Sequence, residues 1–77
     1  MDIAMVIRRL DTAANWFLFL TEDREWSPRM SDAYRYVSLL AFTDAKELGG
    51  EVCLRFANGH EIKVEYEQMF EKQGALH

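Results

Sequence analysis

The segment EVCLRFANGHEIKVEY, residues 51–66, constrains the fold more than any other part of the chain. Two runs of alternating apolar and polar residues flank Ala57-Asn58-Gly59, and such runs around an Asn-Gly pair read as an antiparallel hairpin. A two-residue turn on Asn58-Gly59 sets Leu54 opposite Lys63 and Val52 opposite Glu65. Cross-strand partners share a sheet face, so that register mixes apolar and charged residues on one face. A three-residue loop with Gly59 left-handed instead sets Phe56 opposite His60, Leu54 opposite Ile62 and Val52 opposite Val64. It also pairs Arg55 with Glu61 and Cys53 with Lys63 on the polar face. The three-residue loop is the predicted register.

Two strands alone are marginal, so helices must cover the apolar face or another chain must extend the sheet. Read at 100° per residue, Ile3, Val6, Ile7, Leu10, Ala13, Ala14, Phe17 and Leu18 share one arc, which predicts an amphipathic helix over residues 2–20. Its end, NWFLFL, also suits a strand, and TEDREW reads as a charged connection. Ser27-Pro28 reads as the start of a second helix. Met30, Ala33, Tyr34, Val37, Leu40 and Ala41 form its apolar face. Continuing that register buries Asp44, so a break near Thr43 is expected, with a short turn of helix to Leu48 and a stop at Gly49-Gly50. A short tail helix, EQMFEKQ, uses Met69 and Phe70 to close one edge of the core, and residues 74–77 fray. The expected fold class is α+β: an antiparallel hairpin or sheet covered by two principal helices, with a short C-terminal helix.

A chain of 77 residues has room for one domain, residues 1–77. Its 49% hydrophobic and 29% charged content argues for a folded domain and against disorder. The single cysteine, Cys53, excludes an intrachain disulfide. The start, MDIAMVIRRLD, lacks the basic lead of a signal peptide, and Arg8, Arg9 and Asp11 interrupt its apolar stretch. Neither a cleaved signal nor a membrane span is expected, which leaves the cytoplasm as the expected location.

Chemistry-bearing constellations are sparse. His60 and Glu61 are neighbours on a strand and point to opposite faces, which argues against a shared acid–base site. His77 is terminal. Cys53 has Lys63 beside it but no histidine on its face, so it reads as a partly buried structural thiol. One cysteine and one internal histidine do not supply a zinc site. Glu61 and Glu65 read as a solvated acidic face without calcium-loop spacing. Ser27, Ser31 and Ser38 read as helix-start or helix hydroxyls, and no phosphate loop, HExxH or GxSxG element is present. No enzymatic activity, cofactor or small-molecule substrate is expected.

The net charge of −4 comes from 9 Lys plus Arg against 13 Asp plus Glu, the opposite of a non-specific nucleic-acid binder. Large apolar groups on faces that should be wet are the feature that exceeds a plain folded domain. Met5, Trp16 and Phe19 fall on the polar side of the first predicted helix, and Tyr36, Leu39 and Phe42 fall opposite or beside the apolar face of the second. Arg24, Trp26, Arg29, Tyr34, Arg35 and Tyr36 bring interface-type chemistry close together. The expected interface therefore comprises Trp16, Phe19, Trp26, Arg29, Tyr36, Leu39 and Phe42. The function expected is a small acidic protein-interaction module: an adaptor, regulatory subunit or inhibitor, as a homodimer or in a hetero-complex. A narrower version uses an acidic surface of Asp44, Glu47, Glu51, Glu61 and Glu65 to mimic nucleic acid in a basic groove. A different class is a nucleic-acid-binding regulator using Arg8, Arg9, Arg24, Arg29 and Arg35.

Overall fold

Alternation is lost wherever a strand is covered on both faces, and the N-terminal segment is such a case. A computed structural model, which describes residues 3–69, places β1 at Ala4–Asp11 and β2 at Trp16–Leu20, paired antiparallel with Leu10 opposite Phe17 and Arg8 opposite Phe19. The helix expected over residues 2–20 is therefore a β-hairpin. Its loop carries no glycine. Asn15 takes the left-handed conformation (φ 53°), and the Asp11 carboxylate accepts a hydrogen bond from the Ala13 amide at 3.2 Å.

Among the described residues three further strands join this hairpin in an open sheet: β3 at Trp26–Ser27, β4 at Glu51–Arg55 and β5 at Glu61–Lys63. The order is β3-β2-β1-β4-β5, antiparallel throughout. In the β4–β5 hairpin Cys53 faces Lys63, Leu54 faces Ile62 and Arg55 faces Glu61, the register of the three-residue loop. Phe56 donates to the His60 carbonyl at 2.9 Å, Val64 donates to the Val52 carbonyl at 3.0 Å, and Gly59 has φ 86°. A Cβ at Gly59 meets open space, so the cost of Gly59→Ala is conformational. The expected loss is about 1 kcal/mol, measured as a shift in urea midpoint at unchanged slope.

The second predicted helix is reduced to its two ends. A 3-10 turn spans Met30–Asp32, with the Ser27 hydroxyl accepting from the Arg29 amide at 3.2 Å and donating to Asp32 at 2.7 Å. The backbone then extends, because Tyr34 donates to the Leu20 carbonyl (2.9 Å) and Tyr36 to the Met5 carbonyl (2.8 Å). The β-favouring run YRYV finds its partners at the strand ends instead of within a helix. The helix α1, Leu40–Leu48, follows without a break at Thr43. Gly49 caps it left-handed at φ 80°, and Gly50 donates to the Ala45 carbonyl at 2.8 Å.

Two half-cores lie on opposite sheet faces. On one, Ile7, Leu20 and Val52 pack beneath Ala41 and Ala45 of α1. The two alanines let the helix lie close to the sheet. Gly50 is equally constrained, since a Cβ there would stand 2.7 Å from Ile7 Cγ2 and 2.9 Å from the Trp26 ring. On the other face Val6, Phe19 and Cys53 pack against Ala33, with Met30 and Phe17 at the margin. Residues 66–69 form a short C-terminal helical turn in which Met69 is half-buried; Phe70 and residues 74–77 lie outside the described residues. The α+β class, the antiparallel sheet, the helix on it and the short C-terminal helix stand as expected, while three of the five strands among the described residues lie where the sequence predicts helix or connection.

Candidate functional site

Where the chain passes from one sheet face to the other it leaves an open groove of about 320 Å³. One wall is the turn at residues 21–25, closed by hydrogen bonds from Thr21 to the Glu25 carbonyl (2.8 Å) and from Arg24 to the Thr21 carbonyl (3.0 Å). The other wall is the extended segment 34–38 and the first turn of α1. Because the backbone amides of Tyr34 and Tyr36 are held by Leu20 and Met5, the side chains of Tyr34, Val37 and Leu40 are left at the surface. Val37 is 96% exposed, Leu40 65% and Tyr34 39%. All three were expected on the buried face of a helix. The signal that distinguishes them is the β-favouring YRYV run, which the helical period obscured.

Polar contacts fix the groove floor. The Tyr36 hydroxyl donates to the Asp44 carboxylate at 2.6 Å, and the Tyr34 and Tyr36 rings meet edge-on at 4.8 Å. Arg24, at φ 62°, reaches Asp44 at 3.4 Å and Glu47 at 3.5 Å. Burial, followed by the bond to Asp44, holds the Tyr36 phenol well above its ordinary pKa, so it remains a donor across the neutral range. Asp44 thus tolerates its place on the inner side of α1 through a hydroxyl and a guanidinium, not through a helix break.

Of the expected interface residues, Tyr36 alone lines this groove. Trp16 stands beside the first hairpin loop and is half-exposed. Phe19, 1% exposed, belongs to the core and is not a surface residue. A strand places Phe19 and Trp16 on opposite faces where a helix had brought them together. Trp26 packs against the core with the Arg9 guanidinium 4.5 Å over its ring. Phe42 is half-buried against Tyr66, ring centroids 5.6 Å apart, Leu39 is half-buried before α1, and Arg29 is exposed beside the 3-10 turn.

The acidic residues are not a free anionic surface. Asp44 and Glu47 share Arg24, and Lys63 meets Glu65 at 3.5 Å. On the sheet face opposite α1, Arg8 binds Glu51 at 3.0 Å and Glu61 at 3.1 Å, while Arg55 binds Glu61 at 2.7 Å. The Glu61 side chain is only 6% exposed, which corrects its reading as a solvated carboxylate. Arg8 and Arg55 also lie over the rings of Phe17 and Phe19, at 3.9 and 5.5 Å. Arg8 and Arg9 are adjacent strand residues on opposite faces, so the N-terminal arginines do not form one patch.

Cys53 lies beneath this ladder, wholly buried and not partly so. Burial pushes its thiol up to about 12, against the opposing pull of Arg8. Between the unfolded and folded pKa values the native state binds one more proton than the unfolded chain, so this group's contribution falls as pH rises from about 9 toward 12. Two outcomes are expected. The native thiol should resist a water-soluble disulfide reagent at pH 8 and react fully in denaturant. The melting temperature should decline above pH 9, and Cys53→Ala should flatten part of that decline. Among the described residues no group of three His, Cys, Asp or Glu is placed to hold a metal ion, and no helix is long and apolar enough to cross a membrane.

Comparison with protein-family models, with curated proteins and with solved structures finds no match to this chain.

Proposed function

We propose that the protein is a small protein-interaction module, an adaptor, regulatory subunit or inhibitor, that docks a partner protein in the groove lined by Tyr34, Tyr36, Val37 and Leu40. The observation that carries this reading is the wet apolar rim around a fixed polar floor. Scattered surface hydrophobes need no explanation, but Val37 and Leu40 line one depression together with the Tyr34–Tyr36 pair. Aromatic and aliphatic anchors around a concave centre are the composition of binding hot spots. Glu22, Arg24 and Asp44 in the lining supply polar groups for orientation. The pairing of Asp44, Glu47, Glu51, Glu61 and Glu65 with basic side chains favours this apolar mode over mimicry of nucleic acid by an acidic surface.

The partner is then a protein surface presenting an aliphatic or aromatic side chain to the groove. A photo-crosslinking amino acid placed at position 37 in the native cell, with position 58 in the hairpin loop as control, tests this. A discrete heterologous adduct specific to position 37 is expected. Equal labelling at both positions, or adducts at neither, would contradict it.

A further inference from the structure

We infer that the β5 edge is a self-recognition site, pairing antiparallel with β5 of a second copy across a two-fold axis at Ile62. Strand β5 is the outer strand of the sheet, bonded on one side to β4 and, among the described residues, to no strand on the other. An open edge is a template for another strand. Two observed bonds fix its parity: Val64 donates to Val52, and Phe56 donates to His60. Residues 60, 62 and 64 therefore turn their backbone groups toward β4, and Glu61 and Lys63 turn theirs outward.

The sequence of the edge selects its own copy. In an antiparallel pair centred on Ile62, Glu61 stands opposite the partner's Lys63, and Lys63 opposite the partner's Glu61. Each pair exchanges two backbone hydrogen bonds, and opposite charges directly across a ladder are favourable. Ile62, half-exposed on the α1 side, meets the partner's Ile62 at the closer, non-bonded position. Lysine on an edge ordinarily discourages strand addition. Here it matches its own copy, because the Ile62-centred register, the one that pairs β5 along its whole length Glu61–Lys63, places every Lys63 against Glu61. Lys63 is half-exposed and its ion pair with Glu65 spans 3.5 Å, so it is available to turn toward a second carboxylate. A three-residue strand gives a small contact, so the dimer is one that dissociates on dilution. This site shares no residue with the groove of the proposed function, and the two stand or fall separately.

Sedimentation equilibrium of the purified chain across micromolar to millimolar concentration, combined with amide exchange at the two extremes, tests the inference. The expected result is a monomer–dimer equilibrium in which the amides of Glu61 and Lys63 gain protection with concentration while that of Ile62 does not change. Lys63→Glu sets like charges opposite each other and should weaken the dimer by about tenfold or more, whereas Lys63→Arg should retain it. Circular dichroism identical to the parent protein establishes that both variants fold. A monomer at every concentration overturns the inference. So does a dimer that leaves the amides of Glu61 and Lys63 unchanged or is indifferent to Lys63→Glu.

Discussion

Phe19→Ala is expected to destabilise the fold by about 3–4 kcal/mol, whereas Trp16→Ala should change stability by less than about 1 kcal/mol. The two aromatics are three residues apart, the spacing that brings side chains together on a helix and sends them to opposite faces of a strand. Phe19 is 1% exposed, packed with Val6, Ala33 and Cys53 beneath Arg55. Its removal leaves a cavity between two elements tied by backbone hydrogen bonds, which limits collapse. Trp16 stands 51% exposed and touches the edge of Phe17. Urea unfolding of both variants at equal slope gives the comparison. Similar small losses in both would contradict the strand assignment of residues 16–20.

Glu61→Ala should cost about 3 kcal/mol, the second large effect. Glu61 holds Arg8 and Arg55 through both carboxylate oxygens, at 3.1 and 2.7 Å, on a face from which water is largely excluded. Removing it leaves two guanidinium groups with reduced compensation, and stranded charge accounts for most of the cost of breaking a covered ion pair. Arg55 is especially exposed to this loss, because its Nη1 is committed to the Met30 carbonyl at 2.8 Å and its buried Nη2 has no hydrogen-bond partner among the described residues. Glu65→Ala, whose contact with Lys63 is solvated, should change stability by less than about 0.5 kcal/mol. Equal effects at the two positions, by thermal or urea denaturation, would show that the ladder is solvated.

The hairpin of residues 51–64 was legible because one register alone satisfies both its apolar and its charged pairs. The α-helical stop at Gly49 was legible for a comparable reason: a left-handed cap leaves a glycine in the sequence. The N-terminal hairpin was hidden because β1 is covered on both faces. Val6 and Ile7 are both fully buried, so the period-2 signal disappears, and Ile3, Val6, Ile7 and Leu10 imitate a helical stripe. Its turn gave no Gly or Pro signal, since Asp11 and Asn15 provide the turn chemistry. The candidate groove depends on contacts far apart in sequence, Tyr34 with Leu20, Tyr36 with Met5 and Arg24 with Asp44. Tyr36 and Asp44 could be singled out from the sequence, but which apolar residues remain wet around them could not, because that follows from where the chain crosses between sheet faces. Glu61 reads as a surface carboxylate in an alternating strand, yet it lies under Arg8 of β1 and Arg55 of β4, a contact that depends on strand order and not on the local pattern.

The most direct test of the docking reading is the dissociation constant of the partner captured at position 37, measured by calorimetry for the parent protein and for Val37→Asp. Val37 is 96% exposed, so the substitution leaves the free fold intact. At the centre of a desolvated contact it introduces an unpaired charge, and affinity should fall by at least about tenfold, or 1.4 kcal/mol. Lys46→Asp, an exposed change on α1 away from the groove lining, should leave affinity within about twofold. Affinity unchanged in Val37→Asp, with both variants folded, would contradict docking through this groove.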